Sequence, residues 1–94
     1  MFTVVHDLFL TDTARYADIV LPAPSMLEHE DLVGSWGFNY VALNRAAIKP
    51  IGESKPNSEV ARLLAAAMEY DNPIFAMTDD ELMRHCLDLS LIHI

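Results

Sequence analysis

The sequence has little of what several functional classes require. Its 94 residues include a single cysteine, Cys86, so no internal disulfide can form, and this chain alone cannot ligate an iron–sulfur cluster. Only six Lys and Arg residues are present beside fourteen Asp and Glu, and the net charge of -8 argues against a nucleic-acid partner. No apolar run approaches the roughly 20 residues that span a membrane, and no signal-peptide pattern follows Met1.

No arrangement of residues indicates a catalytic site. The sequence has no Ser-His-Asp grouping and no Gly-rich phosphate loop. The run Glu28-His29-Glu30-Asp31 contains metal-ligand residue types, but adjacent side chains rarely all face one ion. We therefore predict neither a catalytic residue nor a metal ligand, and we interpret this run as a solvated acidic loop.

The order of apolar segments predicts an α/β fold, and a hydrophobic content of 52% is sufficient for a packed core. We predict a strand over Phe2–Val5, a short helix over Thr11–Ala17, and a second strand over Asp18–Leu21 that Pro22 ends. A β-α-β order of this kind places its two strands in parallel. The expected architecture is part of an open, mostly parallel sheet flanked by helices.

The middle of the chain is predicted to contain connections, one strand and one helix. Proline and glycine mark 22–37 as an irregular loop and 49–56 as a turn-rich connector, with a strand within 38–48. A helix is predicted over Ser58–Tyr70, because its apolar residues repeat with helical spacing. They are Val60, Leu63, Leu64 and Met68.

The carboxyl-terminal part is predicted to begin as a second helix, since Thr78 and Glu81 have the spacing of a capping box. Apolar neighbours at helical spacing favour a buried structural thiol at Cys86 over a reactive one. Residues 89–94 break the helical pattern and resemble the translation of a sequencing adapter. We expect the natural sequence to end near Asp88.

Polar residues at the end of the first predicted strand indicate a ligand site. His6 and Asp7 occupy that end, and open α/β sheets bind ligands at the carboxyl ends of their strands. The Asp7 carboxylate can accept two N–H groups from guanine or two ribose hydroxyls, or it can form a turn. The Thr11 hydroxyl can bind the nucleotide, cap the next helix, or do both. The pattern predicts a nucleotide-binding edge.

Three sequence blocks, in order, carry a resemblance to a known family. The first fits the pattern D-x-F-x-T-x-T-A-x-x-A-D-I-V-L-P-A through Asp7, Phe9, Thr11, Thr13, Ala14, Ala17, Asp18, Ile19, Val20, Leu21, Pro22 and Ala23. The others are Glu28-His29 and the segment Gly52–Asn57. From about Phe2 to Leu87 the chain resembles the molybdopterin oxidoreductases of the dimethyl-sulfoxide-reductase type, late in the domain that holds one guanine dinucleotide arm of the cofactor.

This resemblance implies roles for individual residues. His6, Asp7 and Thr11 would contact the guanine nucleotide, His6 through its backbone or its ring. His29 occupies a position that is often Lys or Arg in the family, and it would approach the phosphates or the guanine. Asn57 corresponds to an Asp or Asn that contacts the guanosine, although a side chain here or at the next position can also cap the following helix.

The resemblance also implies an activity and a cofactor. Molybdenum would be held by the dithiolenes of bis-molybdopterin guanine dinucleotide and by one Cys, selenocysteine, Ser or Asp upstream of the matching segment. An iron–sulfur cluster can lie in that upstream part. The whole enzyme would use a small-molecule redox substrate and an electron-transfer partner in two-electron chemistry. Residues 1–88 would be a segment of the cofactor-binding domain, and residues 89–94 a non-native tail.

The alternative interpretation is a free-standing small acidic α/β module that binds a protein partner and no redox cofactor. It would use the exposed face of the Ser58–Tyr70 helix or the loop around Trp36. An independent module is expected to unfold cooperatively as a soluble monomer or dimer. A segment excised from a larger sheet is expected to aggregate or to remain molten.

Overall fold

The computed structural model describes residues 1–34, 36–37 and 39–91, with residues 90 and 91 described through their backbone only. Short strands precede two longer helices. The elements are β1 (Val4–Asp7), α1 (Asp12–Arg15), β2 (Ile19–Pro22), β3 (Asp31–Gly34), β4 (Val41–Asn44), α2 (Asn57–Ala67), a 3₁₀ turn (Pro73–Ala76) and α3 (Asp79–Leu91). The predicted α/β class is confirmed.

The first three elements form the predicted parallel unit. β1 and β2 pair in parallel, in a register that runs from Val4 opposite Ile19 to Asp7 opposite Pro22. β1 therefore begins two residues later than predicted and includes the polar pair at its end. Between the strands, α1 makes a single turn that buries Ala14 and is shorter than the predicted helix.

The second sheet is an antiparallel hairpin of β3 and β4, with Asp31 opposite Asn44 and Gly34 opposite Val41. The prediction of an irregular loop through 22–37 is wrong for β3. Its ladder depends on β4, about ten residues away along the chain, and the local proline and glycine signals do not report such pairing. The strand predicted within 38–48 is confirmed over Val41–Asn44, while Phe38 lies outside the described residues.

The two longer helices begin in different ways. The N-cap of α2 is Pro56, without a side-chain hydrogen bond, so the prediction that Asn57 or Ser58 caps this helix is wrong. The capping box of α3 is confirmed. Its hydrogen bonds run from the Thr78 N–H to Glu81 Oε2 at 2.8 Å and from the Glu81 N–H to Thr78 Oγ1 at 3.3 Å.

Arg62 joins the two helical segments. Its Nε donates to the Met77 carbonyl at 2.9 Å, and its guanidinium pairs with Asp79 at the beginning of α3. Within the part of the chain that the structure describes, no helix is both long and apolar enough to cross a membrane.

Burial within the described residues is slight. The buried hydrophobic side chains are Ala14 and Ala65, whereas Leu63 and Leu64 on the apolar face of α2 are 51% and 58% exposed. A core of the size that the composition allows does not form among these elements. Exposed apolar area of this extent is typical of interaction surfaces and ligand grooves.

Two predictions about α3 need correction. Cys86 is exposed, so the prediction of a buried thiol is wrong, because apolar neighbours in sequence do not place a residue on the covered face of its helix. The helix also continues to Leu91, so the predicted break after Asp88 is wrong for 89–91. Residues 92–94 lie outside the described part of the chain, and the origin of the tail stays a prediction.

Candidate functional site

The carboxyl edge of β1 and β2 is joined through His6 to the connector that leads to Asn57. The His6 ring contacts the Lys55 carbonyl through Nε2 at 2.9 Å, across 49 positions of sequence. The Lys55 N–H in turn donates to the Pro22 carbonyl at 3.2 Å. These two hydrogen bonds join the ends of both strands to the connector just before Asn57, the first residue of α2.

Asp7 is a half-buried turn former that retains acceptor capacity. Its Oδ1 accepts the Phe9 N–H at 3.1 Å, and its backbone carbonyl accepts the Ala23 N–H at 3.1 Å. Its Oδ2 accepts no hydrogen bond from the residues that the structure describes. The turn-forming and ligand-binding interpretations of Asp7 are therefore compatible, because one carboxylate oxygen serves the turn and the other can face a ligand.

His6 and Thr11 each make a structural hydrogen bond and, among the described residues, leave one polar group without a partner. A carbonyl can only accept, so His6 Nε2 carries the proton in the contact with Lys55, and Nδ1 is left as an acceptor. Thr11 is the N-cap of α1, and its Oγ1 accepts the Ala14 N–H at 3.3 Å. The Thr11 hydroxyl proton remains available for donation.

His29 lies half-buried in the loop between β2 and β3. Its Nδ1 contacts the Ser25 carbonyl at 2.9 Å and must be the donor, since the carbonyl can only accept. This contact fixes the ring and leaves Nε2 for a ligand. A neutral ring would accept there, and an imidazolium would donate.

Glu28 contradicts the interpretation of this run as a solvated acidic loop. The residue is only 6% exposed. Its Oε2 accepts the Ser25 N–H at 2.6 Å, and its Oε1 accepts the Ile51 N–H at 2.7 Å. Hydrogen bonding to Ser25, through its side chain and then its backbone, and to Ile51 lowers the pKa of Glu28 below its ordinary 4.5. The carboxylate fastens the loop to the connector that leads to α2.

The loop is also held from the side of the hairpin. Asn44, the last residue of β4, donates through Nδ2 to the Met26 carbonyl at 2.7 Å and to the His29 carbonyl at 2.9 Å. The N–H groups of Ala47 and Ile48 donate to the Leu27 carbonyl at 2.8 and 3.0 Å. The position of His29 is therefore set by backbone and side-chain hydrogen bonds on two sides.

Asn57 is exposed at the beginning of α2, and its amide makes no hydrogen bond with other described residues. Because it does not cap the helix, both amide donors and the carbonyl acceptor are available to a ligand. Among the described residues, no group of three or more His, Cys, Asp or Glu side chains could hold a metal ion.

Sequence reasoning missed Glu28 and Asn44 as residues that shape the site. Ser25 and Glu28 have the same S/T-x-x-E spacing as a capping box, and that local signal predicts the Ser25 hydrogen bond. The Ile51 contact has no local signal, because its partners are 23 positions apart.

The chain matches one protein-family model and several known oxidoreductases. Residues 1–67, which include all five predicted site residues, match the family model described as Molybdopterin oxidoreductase. The chain is 51% identical over 88 residues to YoaE, a probable oxidoreductase of Bacillus subtilis. The aligned residues are 94% of this chain and 13% of that protein.

Two further relatives match at lower identity. A putative formate dehydrogenase of Staphylococcus haemolyticus is 43% identical over 70 residues, which are 74% of this chain and 7% of that protein. YjgC, a probable oxidoreductase of Bacillus subtilis, is 39% identical over 82 residues, 83% of this chain and 8% of that protein. The chain thus spans between 7% and 13% of the length of these relatives.

Proposed function

This chain belongs to the molybdopterin oxidoreductase family, and we propose that it binds one guanine dinucleotide arm of the molybdopterin cofactor at the carboxyl edge of β1 and β2. The observation that carries this proposal is the pair of hydrogen bonds that joins His6 and Pro22 to Lys55. They bring the connector that leads to Asn57 to the strand ends next to Asp7, at the edge where α/β folds bind nucleotides.

The donors and acceptors of this edge suit a guanine nucleotide. Guanine presents N–H donors that a carboxylate can accept, and Asp7 retains a free Oδ2 among the described contacts. The Asn57 amide offers donors for the guanine acceptors, and the Thr11 hydroxyl can donate to the ribose. His29 Nε2 can accept from the guanine amino group, or donate to phosphate when the ring is protonated.

A second concavity beside this edge suits a protein surface better than a nucleotide. The groove between β2 and α2 has a volume of about 520 Å³ and is lined mainly by aliphatic side chains, among them Val20, Leu21, Val60 and Leu63. Phosphate and guanine need donors and acceptors that aliphatic side chains do not supply. The cofactor is therefore assigned to the polar edge.

The activity of the whole protein is part of the same proposal. Bis-molybdopterin guanine dinucleotide supplies molybdenum redox chemistry when it is bound, and the residues of this chain bind and orient one arm of it. The molybdenum ligand, any iron–sulfur cluster, the small-molecule substrate and the electron-transfer partner belong to other parts of a two-electron oxidoreductase. Residues 1–88 are then a segment of its cofactor-binding domain.

Substitution of Asp7 tests this proposal in the complete protein. Asp7→Ala removes a charged acceptor. Loss of a hydrogen bond to a charged group typically lowers affinity for the ligand by roughly 10-fold or more. We expect molybdenum and acid-released guanine nucleotide to fall together in the purified variant.

Asp12→Ala is the matched control for that experiment. It makes the same change of charge at an exposed carboxylate whose ion pair is with Arg15 at 3.7 Å, and it should leave cofactor content unchanged. Normal loading of the Asp7→Ala protein would contradict the proposal. The exposed apolar surface on α2 does not favour a free-standing protein-interaction module, because it is equally expected of a segment packed within a larger enzyme.

A further inference from the structure

We propose that Glu28 is a positioning residue for the cofactor site, and that it orients His29 and ties the His29 loop to the connector that leads to Asn57. The inference rests on the proposed function, because it concerns residues assigned there to the nucleotide. Glu28 itself is too buried to contact a ligand, being 6% exposed. Its effect must pass through the groups that it holds.

The first path runs through Ser25 to His29. Glu28 Oε2 accepts the Ser25 N–H at 2.6 Å, and the carbonyl of the same Ser25 accepts from His29 Nδ1 at 2.9 Å. Glu28 thus fixes the residue whose carbonyl sets the tautomer and plane of the His29 ring. The partner of one ring nitrogen determines where the other nitrogen points, as it does for metal-bound histidines.

The second path runs through Ile51 to the beginning of α2. Glu28 Oε1 accepts the Ile51 N–H at 2.7 Å. Ile51 opens the short connector whose Lys55 backbone is bonded to His6 and Pro22. One carboxylate therefore links the loop after β2 with the segment that ends at Asn57.

The chemistry of this link explains why a carboxylate is required. Two backbone N–H groups approach two different oxygens, and only an ionised acid offers acceptors at both positions. Glutamine has nearly the same shape but replaces one oxygen with an NH₂ donor. That donor would face an N–H group, so one of the two links would be lost.

Glu28→Gln in the complete, cofactor-loaded protein tests the inference. Loss of a hydrogen-bond partner of a metal-binding side chain typically weakens metal binding roughly 10- to 100-fold, and on that scale we expect release of molybdenum and guanine nucleotide to be about 10-fold faster. Glu81→Gln is the matched control. It removes the same charge from a glutamate that also accepts a backbone N–H, but at the exposed start of α3. Its release rate should equal that of the unsubstituted protein.

A double-mutant cycle with His29→Ala separates orientation of His29 from general support of the fold. If Glu28 acts largely through His29, Glu28→Gln should accelerate release much less in the His29→Ala background than alone. Additive effects would overturn the path through His29, and unchanged release in Glu28→Gln would overturn both paths. If Asp7→Ala loses cofactor while Glu28→Gln retains it, only the inference fails. If Asp7→Ala also retains it, the proposed function fails as well.

Discussion

Two glutamates with the same local pattern have very different consequences in this molecule. Glu28 follows Ser25, and Glu81 follows Thr78, each by three residues, and each accepts the backbone N–H of that earlier residue. Both carboxyl groups have a pKa below the ordinary value, chiefly through hydrogen bonding to the Ser25 side chain for Glu28 and to the Thr78 backbone for Glu81. Glu81 serves one exposed helix end, whereas Glu28 is buried and joins two distant segments through Ile51.

The difference shows that a capping pattern does not by itself determine which groups its glutamate side chain bonds. At Thr78 the chain continues as α3, and both ends of the box belong to one helical turn. At Ser25 the chain turns without starting a helix, and the second carboxylate oxygen of Glu28 accepts the Ile51 N–H. Position in the fold, rather than the motif, makes Glu28 part of the candidate site.

The largest difference between substitutions of the two glutamates is expected in hydrogen exchange of the Ile51 amide. Glu28→Gln should speed hydrogen exchange there about 10-fold, as expected for loss of a hydrogen bond to a charged acceptor. Hydrogen-exchange mass spectrometry on a peptide that contains Ile51 measures this. Glu81→Gln should leave that peptide unchanged, and equal effects of the two variants would remove the distinction between the two residues.

Hydrogen exchange in the same peptide should depend on pH. Since folding lowers the pKa of Glu28 below 4.5, its stabilisation of the loop is complete above that value and is lost as pH falls through the lowered pKa. Exchange of the Ile51 amide, corrected for its intrinsic rate, should therefore accelerate in acid. The Glu28→Gln protein should not show this acceleration.

A smaller effect is expected for the capping box of α3, in which Glu81 takes part. Thr78→Ala removes the hydroxyl acceptor from the capping box, which typically costs about 1 kcal/mol of helix stability. Amides of the first turn of α3 should exchange several-fold faster, with unchanged cofactor content. Ser58→Ala is the control, because no side chain caps α2. Loss of cofactor in Thr78→Ala would mean that α3 contributes to the site.

The smallest effect is expected for the surface pair of Arg84 and Asp80 on α3. Their side chains are 74% and 66% exposed, and ion pairs this exposed often contribute nothing measurable. Arg84→Ala should leave exchange throughout α3 unchanged at physiological salt. A marked acceleration would show that the helix depends on surface charge as much as on its capping box.

Local signals allowed much of the fold to be predicted from the sequence. Thr11 caps α1 and Thr78 forms a capping box because each contact lies within four residues, where residue type and spacing determine geometry. The parallel pairing of β1 and β2 was predictable for the same reason, since a short helix connects them. The predicted polar edge contains His6 and Asp7, both at the end of β1 as expected.

The remaining features depend on contacts that the sequence does not encode locally. The Glu28 bond to Ile51 and the Asn44 bonds to Met26 and His29 join segments at least 15 positions apart. Burial was the least predictable property. Cys86 has apolar neighbours in sequence but is exposed, because burial depends on which element covers a helix face.

The most direct test of the central claim is the structure of the complete protein with its cofactor bound. If the nucleotide binds at the carboxyl edge of β1 and β2, Asp7 Oδ2 should lie within about 2.7–3.2 Å of an N–H group of guanine or of a ribose hydroxyl, with Asn57 and His29 beside the same nucleotide. A guanine dinucleotide bound elsewhere, with the Asp7 carboxylate bonded only to the Phe9 N–H, would contradict the central claim.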